Sequence, residues 1–350
     1  MASLTSFIDQ ILPGTPHWLD ATIAAVLGSV IVFTVVLTIG GLFTFVFRRI
    51  FARMGNRSGP NRVGPNGWFQ FLADGLKLIS KEDVRPARAD RLAWGLAAYV
   101  AVAFTVVAWA PIPWSEDIYF TNIGTGVLFI LALSAVAPLG EMLAGWGSNN
   151  KYSLYGGIRA AALDVSYEIP LLFAVGSVIL ITGSLATQDI VTEQAGLWFI
   201  VPQLLGFVIF FITGLAKAGL VPTDLAEAES ELVAGFTTEY SGMRFGMLFV
   251  VLFSNVFFIS ALTTMLYLGG WQAPFVEWVP FLGGFLGPVT GLFWFVLKAG
   301  LVSFVVFWVW TTLPRVRVDQ YLNVAWKIIL PLSILNFVGT AVMVRTGVLG

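Results

Sequence analysis

The chain contains no cysteine and a single histidine, His17, near its start. Their absence removes thiolate-held iron–sulfur clusters, His-ligated haem, structural zinc and thiol catalysis from the chemistry this chain can carry by itself. Charge is scarce as well. Asp, Glu, Lys and Arg make up 11% of residues and nearly cancel to a net −1, which leaves no basic footprint for nucleic acid. No GxxxxGK[ST] run exists to cradle a phosphate, and no Ser–His–Asp arrangement can draw on a histidine so close to the terminus. The start lacks the order of basic residues, short apolar core and small-residue cleavage site, so no cleaved leader is expected. There is also no internal repeat of the kind that marks many secondary transporters.

What is present is apolar: 57% hydrophobic residues and a mean hydropathy of +0.85 read as a polytopic helical membrane protein, with residues 1–350 forming one integral membrane domain. Alternating-strand patterning is missing, and a backbone in lipid must satisfy its own hydrogen bonds, which leaves helices. Eight apolar windows, from Ala21–Phe47 to Ile328–Val344, are long enough to cross roughly 30 Å of hydrocarbon. Connections then alternate in charge. Arg48 through Arg91 crowd the first, Lys151 and Arg159 the third, Lys217 and Arg244 flank the fifth, and Arg315, Arg317 and Lys327 mark the seventh; the even connections carry no Lys or Arg. The positive-inside rule places the odd connections in the cytoplasm and both termini outside a prokaryotic plasma (inner) membrane.

Within the first connection, GWFQFLADGLKLISKED sets Trp68, Phe71, Leu72, Leu76 and Ile79 at helical spacing, the pattern of an amphipathic helix lying on the membrane surface. Before it, SGPNRVGPNG makes a tight, basic loop around Arg57 and Arg62, suited with Arg315 and Arg317 to anionic lipid headgroups, a protein partner or the polar head of an amphipathic substrate.

The most informative stretch is Pro222–Tyr240, PTDLAEAESELVAGFTTEY. It gathers Asp224, Glu227, Glu229, Glu231 and Glu239 without one Lys or Arg. Spacing predicts a cytoplasmic acidic helix capped by Asp224, with Asp224, Glu227 and Glu231 on one face. Carboxylates crowded at a bilayer repel one another and lose hydration, which favours holding protons; a solvated acidic loop is the plain alternative. Inside the spans, Glu141, Asp164, Glu168 and Lys298 are ionisable, which marks functional candidates in lipid. Pairing of Arg159 with Asp164, purely to hold helices together, is the competing reading.

Several long runs, in order, resemble the quinone-chamber membrane subunit family of respiratory complex I: RSGPNRVGPNG, LADGLKLISKED, AGWGSNNKYSLYGGIRAAA followed by SYEIPL, DLAEAESELVAGFTTEYSGM, and LPRVRVDQ with AWKIILPL. The resemblance implies an eight-helix subunit that forms the membrane-side entrance of a tunnel for a lipophilic acceptor and binds no cofactor of its own. By position it implies an acidic relay of Asp74, Glu168, Glu227, Glu229, Glu231 and Glu239, to which the intramembrane reading adds Glu141 and Lys298. The implied tunnel rim is Arg48, Arg57, Arg315 and Arg317, with Arg62 added from the basic loop. Implied partners are iron–sulfur and quinone-site peripheral-arm subunits, antiporter-like and small membrane subunits, and membrane lipid. Departures from the family pattern strip polar groups: Phe47 stands for a Glu, Gly55 and Leu163 for Gln, Trp310 for an Arg, and Ala216, Lys217, Ala218, Gly219, Leu220 for Ala-Glu-Thr-Asn-Arg. These keep open a methanophenazine-reducing deazaflavin dehydrogenase or an energy-converting hydrogenase as the parent complex, and, further off, an independent ion transporter or a membrane scaffold.

Overall fold

Lipid offers the peptide backbone no hydrogen-bond partner, so each apolar window closes its hydrogen bonds within itself as a helix. The computed structural model describes residues 17–273 and 289–347; the side chains of His17, Trp18, Ala21 and Glu229 and the stretch around Gly283 lie outside the described residues. Spanning helices are α1 (His17–Met54), α3 (Arg91–Ala108), the pair α4 (Gly126–Val136) and α5 (Pro138–Gly147), α6 (Lys151–Thr182), α10 (Gly242–Tyr267), α11 (Thr290–Thr312), and α12 (Val318–Val324) running through a π-helical turn at Ala325–Ile329 into α13 (Leu330–Arg345). Between them lie α2 (Gln70–Ser80), α7 (Thr187–Thr192), α8 (Leu204–Lys217) and α9 (Glu229–Leu232). Seven of these are long and apolar enough to cross a membrane. The expected eighth, α8, has 14 residues, about 21 Å of helix, because the chain before it turns around buried Gln203. That side chain donates to Thr340 Oγ1 at 2.7 Å and accepts from Asn336 Nδ2 at 3.0 Å.

Polar contacts sort the connections into two faces. Arg48–Asp74, Arg244–Asp83, Arg315–Asp224 and Asn150–Glu239 all join segments of the arginine-rich side. On the opposite face Asn122 bonds Gln188, Thr187 bonds the Pro111 carbonyl and Gln272 bonds the Val191 carbonyl. Packing therefore pairs odd connections with odd and even with even.

Helix α2 takes the amphipathic form its spacing predicts, with Leu72, Leu76 and Ile79 exposed. Trp68 lies just before it and packs against Phe45, ring centroids 5.5 Å apart. The acidic segment departs from expectation. Helix α9 spans only four residues, its N-cap is Ala228, and Asp224 and Glu227 precede it outside the helix. Its register is set instead by tertiary contacts on either side, and the backbone turns at Val233 (φ 65) and Gly235 (φ 53) end it.

Candidate functional site: a carboxylate cavity and a lipid-facing groove

Small residues bring the acidic spans together. A Cβ on Gly140 would stand 2.6 Å from that of Ala101, and one on Gly157 only 3.1 Å from the Glu141 carbonyl, so α5 packs backbone-close to α3 and α6. Pro138 lacks the N–H that would continue α4, and the helix restarts there. Glu141 consequently falls in the first turn of α5. Glu141, Asp164, Lys217 and Asn255 line two adjoining cavities of about 60 and 40 Å³, each with room for a few waters. One turn along α6, Glu168 forms an ion pair with Lys217, the last residue of α8. Its second oxygen, Oε1, is buried without a hydrogen-bond partner among the described residues.

The acidic loop lies over this cavity, and its counter-charges come from far along the chain. Asp224 accepts from Arg315 at 2.9 Å, and Glu231 from Arg159 at 2.5 Å, while Arg159 also holds the Leu225 carbonyl at 3.2 Å. Glu239 accepts from Asn150 Nδ2 at 2.7 Å. Asp224 and Glu227 line the larger cavity with Glu141 and Asp164. The segment that looks uncompensated in sequence is thus cross-braced, and Arg159 reaches Glu231 rather than Asp164. Below it, buried Tyr240 donates to the Trp94 carbonyl at 3.1 Å; burial pushes its phenol well above the usual range, so it stays a neutral donor.

A second feature opens toward lipid. Helices α1, α2 and α10 enclose a groove of about 550 Å³ with apolar walls that include Phe33, Leu37, Phe71, Phe249 and Val250. Its polar feature is the Arg48–Asp74 pair at 2.6 Å, in which Asp74 also accepts from Gln70 at 3.0 Å. Asp74 therefore sits in the groove and not in the carboxylate cavity. Helix α10 lines both spaces: Phe245, Phe249 and Val250 face the groove, Val251, Leu252 and Asn255 the cavities.

Other expected residues stand apart. Lys298 is buried near the opposite face, where it donates to the carbonyls of Leu268, Gly270 and Gln272 and lies 4.3 Å from the Trp198 ring; Leu268 is some 20 Å of helix rise from Asn255. Arg57 lies 5.5 Å over the Phe51 ring, and Arg62 and Arg317 are exposed on the arginine-rich side. Two positions at which the resemblance implies polar side chains meet. Phe47 and Trp310 stack with centroids 4.0 Å apart, and Phe253 and Phe307 pack around them. Sequence reasoning missed Lys217 as the partner of Glu168, and Asn255 as a cavity residue although it is an isolated amide in an apolar run. Among the described residues no three His, Asp or Glu side chains converge as metal ligands.

These elements define a multi-pass, all-helical membrane protein with buried ionisable groups and a groove open to the bilayer. A family profile described as NADH dehydrogenase matches residues 27–341, and the chain belongs to that family. It is 41% identical over 339 residues to a Brevibacillus brevis protein named as a subunit of NADH-quinone oxidoreductase, covering 96% of this chain and 98% of that one. A protein of the same name from Paramagnetospirillum magneticum is 44% identical over 299 residues, 85% of each chain, and one from Geobacillus thermodenitrificans is 41% identical over 341 residues, 96% of this chain and 98% of the relative.

Proposed function

We propose that this chain is the membrane subunit of a complex I–type, NADH-linked quinone oxidoreductase, through which a lipophilic acceptor enters and whose carboxylates answer its reduction with proton movement. The relatives' name favours a quinone over methanophenazine, and the respiratory complex over a hydrogenase, a free-standing transporter or a scaffold. Electrons come from cluster-bearing partner subunits, and antiporter-like subunits receive the coupled change; the arginine-rich face is cytoplasmic.

The observation that carries this reading is α10 as a shared wall. One of its faces lines an apolar groove deep enough for an isoprenoid-like chain, and the other faces Glu141, Asp164 and Lys217, the partner of Glu168. Reducing a quinone takes up two electrons and two protons, so charge appears at the junction and must be compensated. A shift of α10 would move Asn255 and the cavity walls together, changing the hydration and pairing of the carboxylates as one group. Asp74 and Arg48 would orient the polar head at the groove, with Arg57, Arg62, Arg315 and Arg317 drawing the peripheral arm to this face. Glu227, Glu229, Glu231 and Glu239 would extend the relay outward; Lys298, with three carbonyl acceptors, serves the opposite end of α10 and α11.

Thr38→Trp, which fills the groove without touching the cavity, tests the reading. In membrane vesicles it should lower NADH-driven reduction of a long-tailed quinone at least tenfold while leaving reduction of a water-soluble artificial acceptor unchanged. Equal rates with the long-tailed quinone would refute acceptor entry through this groove.

A further inference from the structure

Away from both features, a pocket of about 340 Å³ opens on the arginine-rich side, lined by Asp83, Arg85, Arg91, Trp94, Gly95 and Arg244. Three guanidinium groups face one carboxylate. Arg244 is fixed in place: its Nε lies 2.9 Å from Asp83 Oδ2 and its guanidinium 4.2 Å from the Trp94 ring centroid. Yet among the described residues its Nη1 is buried without an acceptor, and so is Nε1 of Trp94, which is 2% exposed. Two buried donors left unmade at one pocket are unusual, because each forfeits the hydrogen bonds it had in water. Arg85 and Arg91 are exposed and form no ion pair with the described residues. The pocket is therefore rich in donors and net positive.

We propose that this pocket binds the phosphate of an anionic phospholipid, with Arg85, Arg91 and Arg244 as its donors. Its position argues for a lipid over a soluble anion. Arg91 is the first residue of α3 and Arg244 lies in the first turn of α10, so the pocket sits where two spans enter the bilayer. Directly beside it, Leu92, Leu96 and Tyr99 are exposed on one face of α3, 73, 47 and 50% accessible, and run about 10 Å down the helix. A headgroup in the pocket lays its acyl chains along that stripe. Free phosphate satisfies only the upper half of the arrangement, and a carboxylate on a neighbouring protein leaves the stripe's length unexplained.

The test uses the intact complex in neutral detergent and a phosphatidylglycerol with a photoreactive acyl chain. Crosslinks should map to residues 92–99 of this chain and be displaced by short-chain phosphatidylglycerol, but not by short-chain phosphatidylcholine or inorganic phosphate. Arg85→Gln combined with Arg91→Gln should weaken labelling about thirty-fold, from the ordinary contribution of two arginines at an anionic membrane surface. Gly95 supplies an independent variant, since a Cβ there meets nothing within 4 Å. Gly95→Glu should abolish labelling by repelling the phosphate, and Gly95→Gln should keep it. Absence of crosslinks at 92–99, equal displacement by phosphate or phosphatidylcholine, or crosslinking of this stripe to a protein subunit would each overturn the assignment.

Discussion

Lys217 changes what neutralising Glu168 means. Both side chains are about nine-tenths buried, so Glu168→Gln strands an ammonium as well as removing a proton site. Breaking such a pair from one side costs about 3–5 kcal/mol, whereas replacing both partners by neutral groups of similar size is often close to neutral. Lys217→Met and Glu168→Gln should therefore each lower the thermal stability of the assembled complex, and the double variant should recover most of the loss. If quinone reduction in the double variant stays low while stability returns, the pair serves coupling; recovery of both would make it purely structural. The Phe47–Trp310 stack follows the same logic. Where the resemblance implies a Glu and an Arg, this chain has two rings in contact, and a well-packed apolar pair can replace an ionic one without loss.

Among the elements, α2 depends most on its surroundings. Eleven residues are too few for a helix to be stable alone in water, so its apolar face must be held by the bilayer interface and the groove. Leu76 and Ile79 are 69 and 67% exposed to whatever surrounds the protein. Leu76→Ser with Ile79→Ser should remove roughly 2–4 kcal/mol of apolar burial at the interface. Amide exchange across residues 70–80 in lipid-reconstituted complex should then quicken at least tenfold, with slower long-tailed quinone reduction. Unchanged exchange would mean that α2 is held by α1 and α10 alone. The break at Pro138 shows the same dependence, since it is tolerated in a span because α3 and α6 pack tightly on both sides.

Among the described residues, four ion pairs on one face and none on the other match the alternation of charge along the chain. Absolute orientation is open to direct labelling at exposed connection positions, which excludes Ser115, Thr187 and Ser153 because they are buried. In a chain without cysteine, thiols placed at exposed Asp117 and Glu193 should react with impermeant reagents from outside intact cells, and thiols at Ser58 and Lys151 should not. Reversed labelling would place the arginine-rich face, and the peripheral arm with it, on the other side.

Sequence by itself determined the class, seven of the eight expected spans, the amphipathic helix and the alternation of faces, because hydrophobic length and loop charge are properties of contiguous residues and act on each segment separately. It also singled out most of the carboxylates. Only tertiary structure decided their partners. Glu168 meets Lys217 across 49 positions, Glu231 meets Arg159 across 72 and Asp224 meets Arg315 across 91. A charge is compensated or stranded over a few ångströms, and that distance is set by how helices pack rather than by where residues fall along the chain. For the same reason a segment that reads as an acidic helix became a braced loop over a cavity, and a buried lysine in line with the carboxylates became a clasp at the far face.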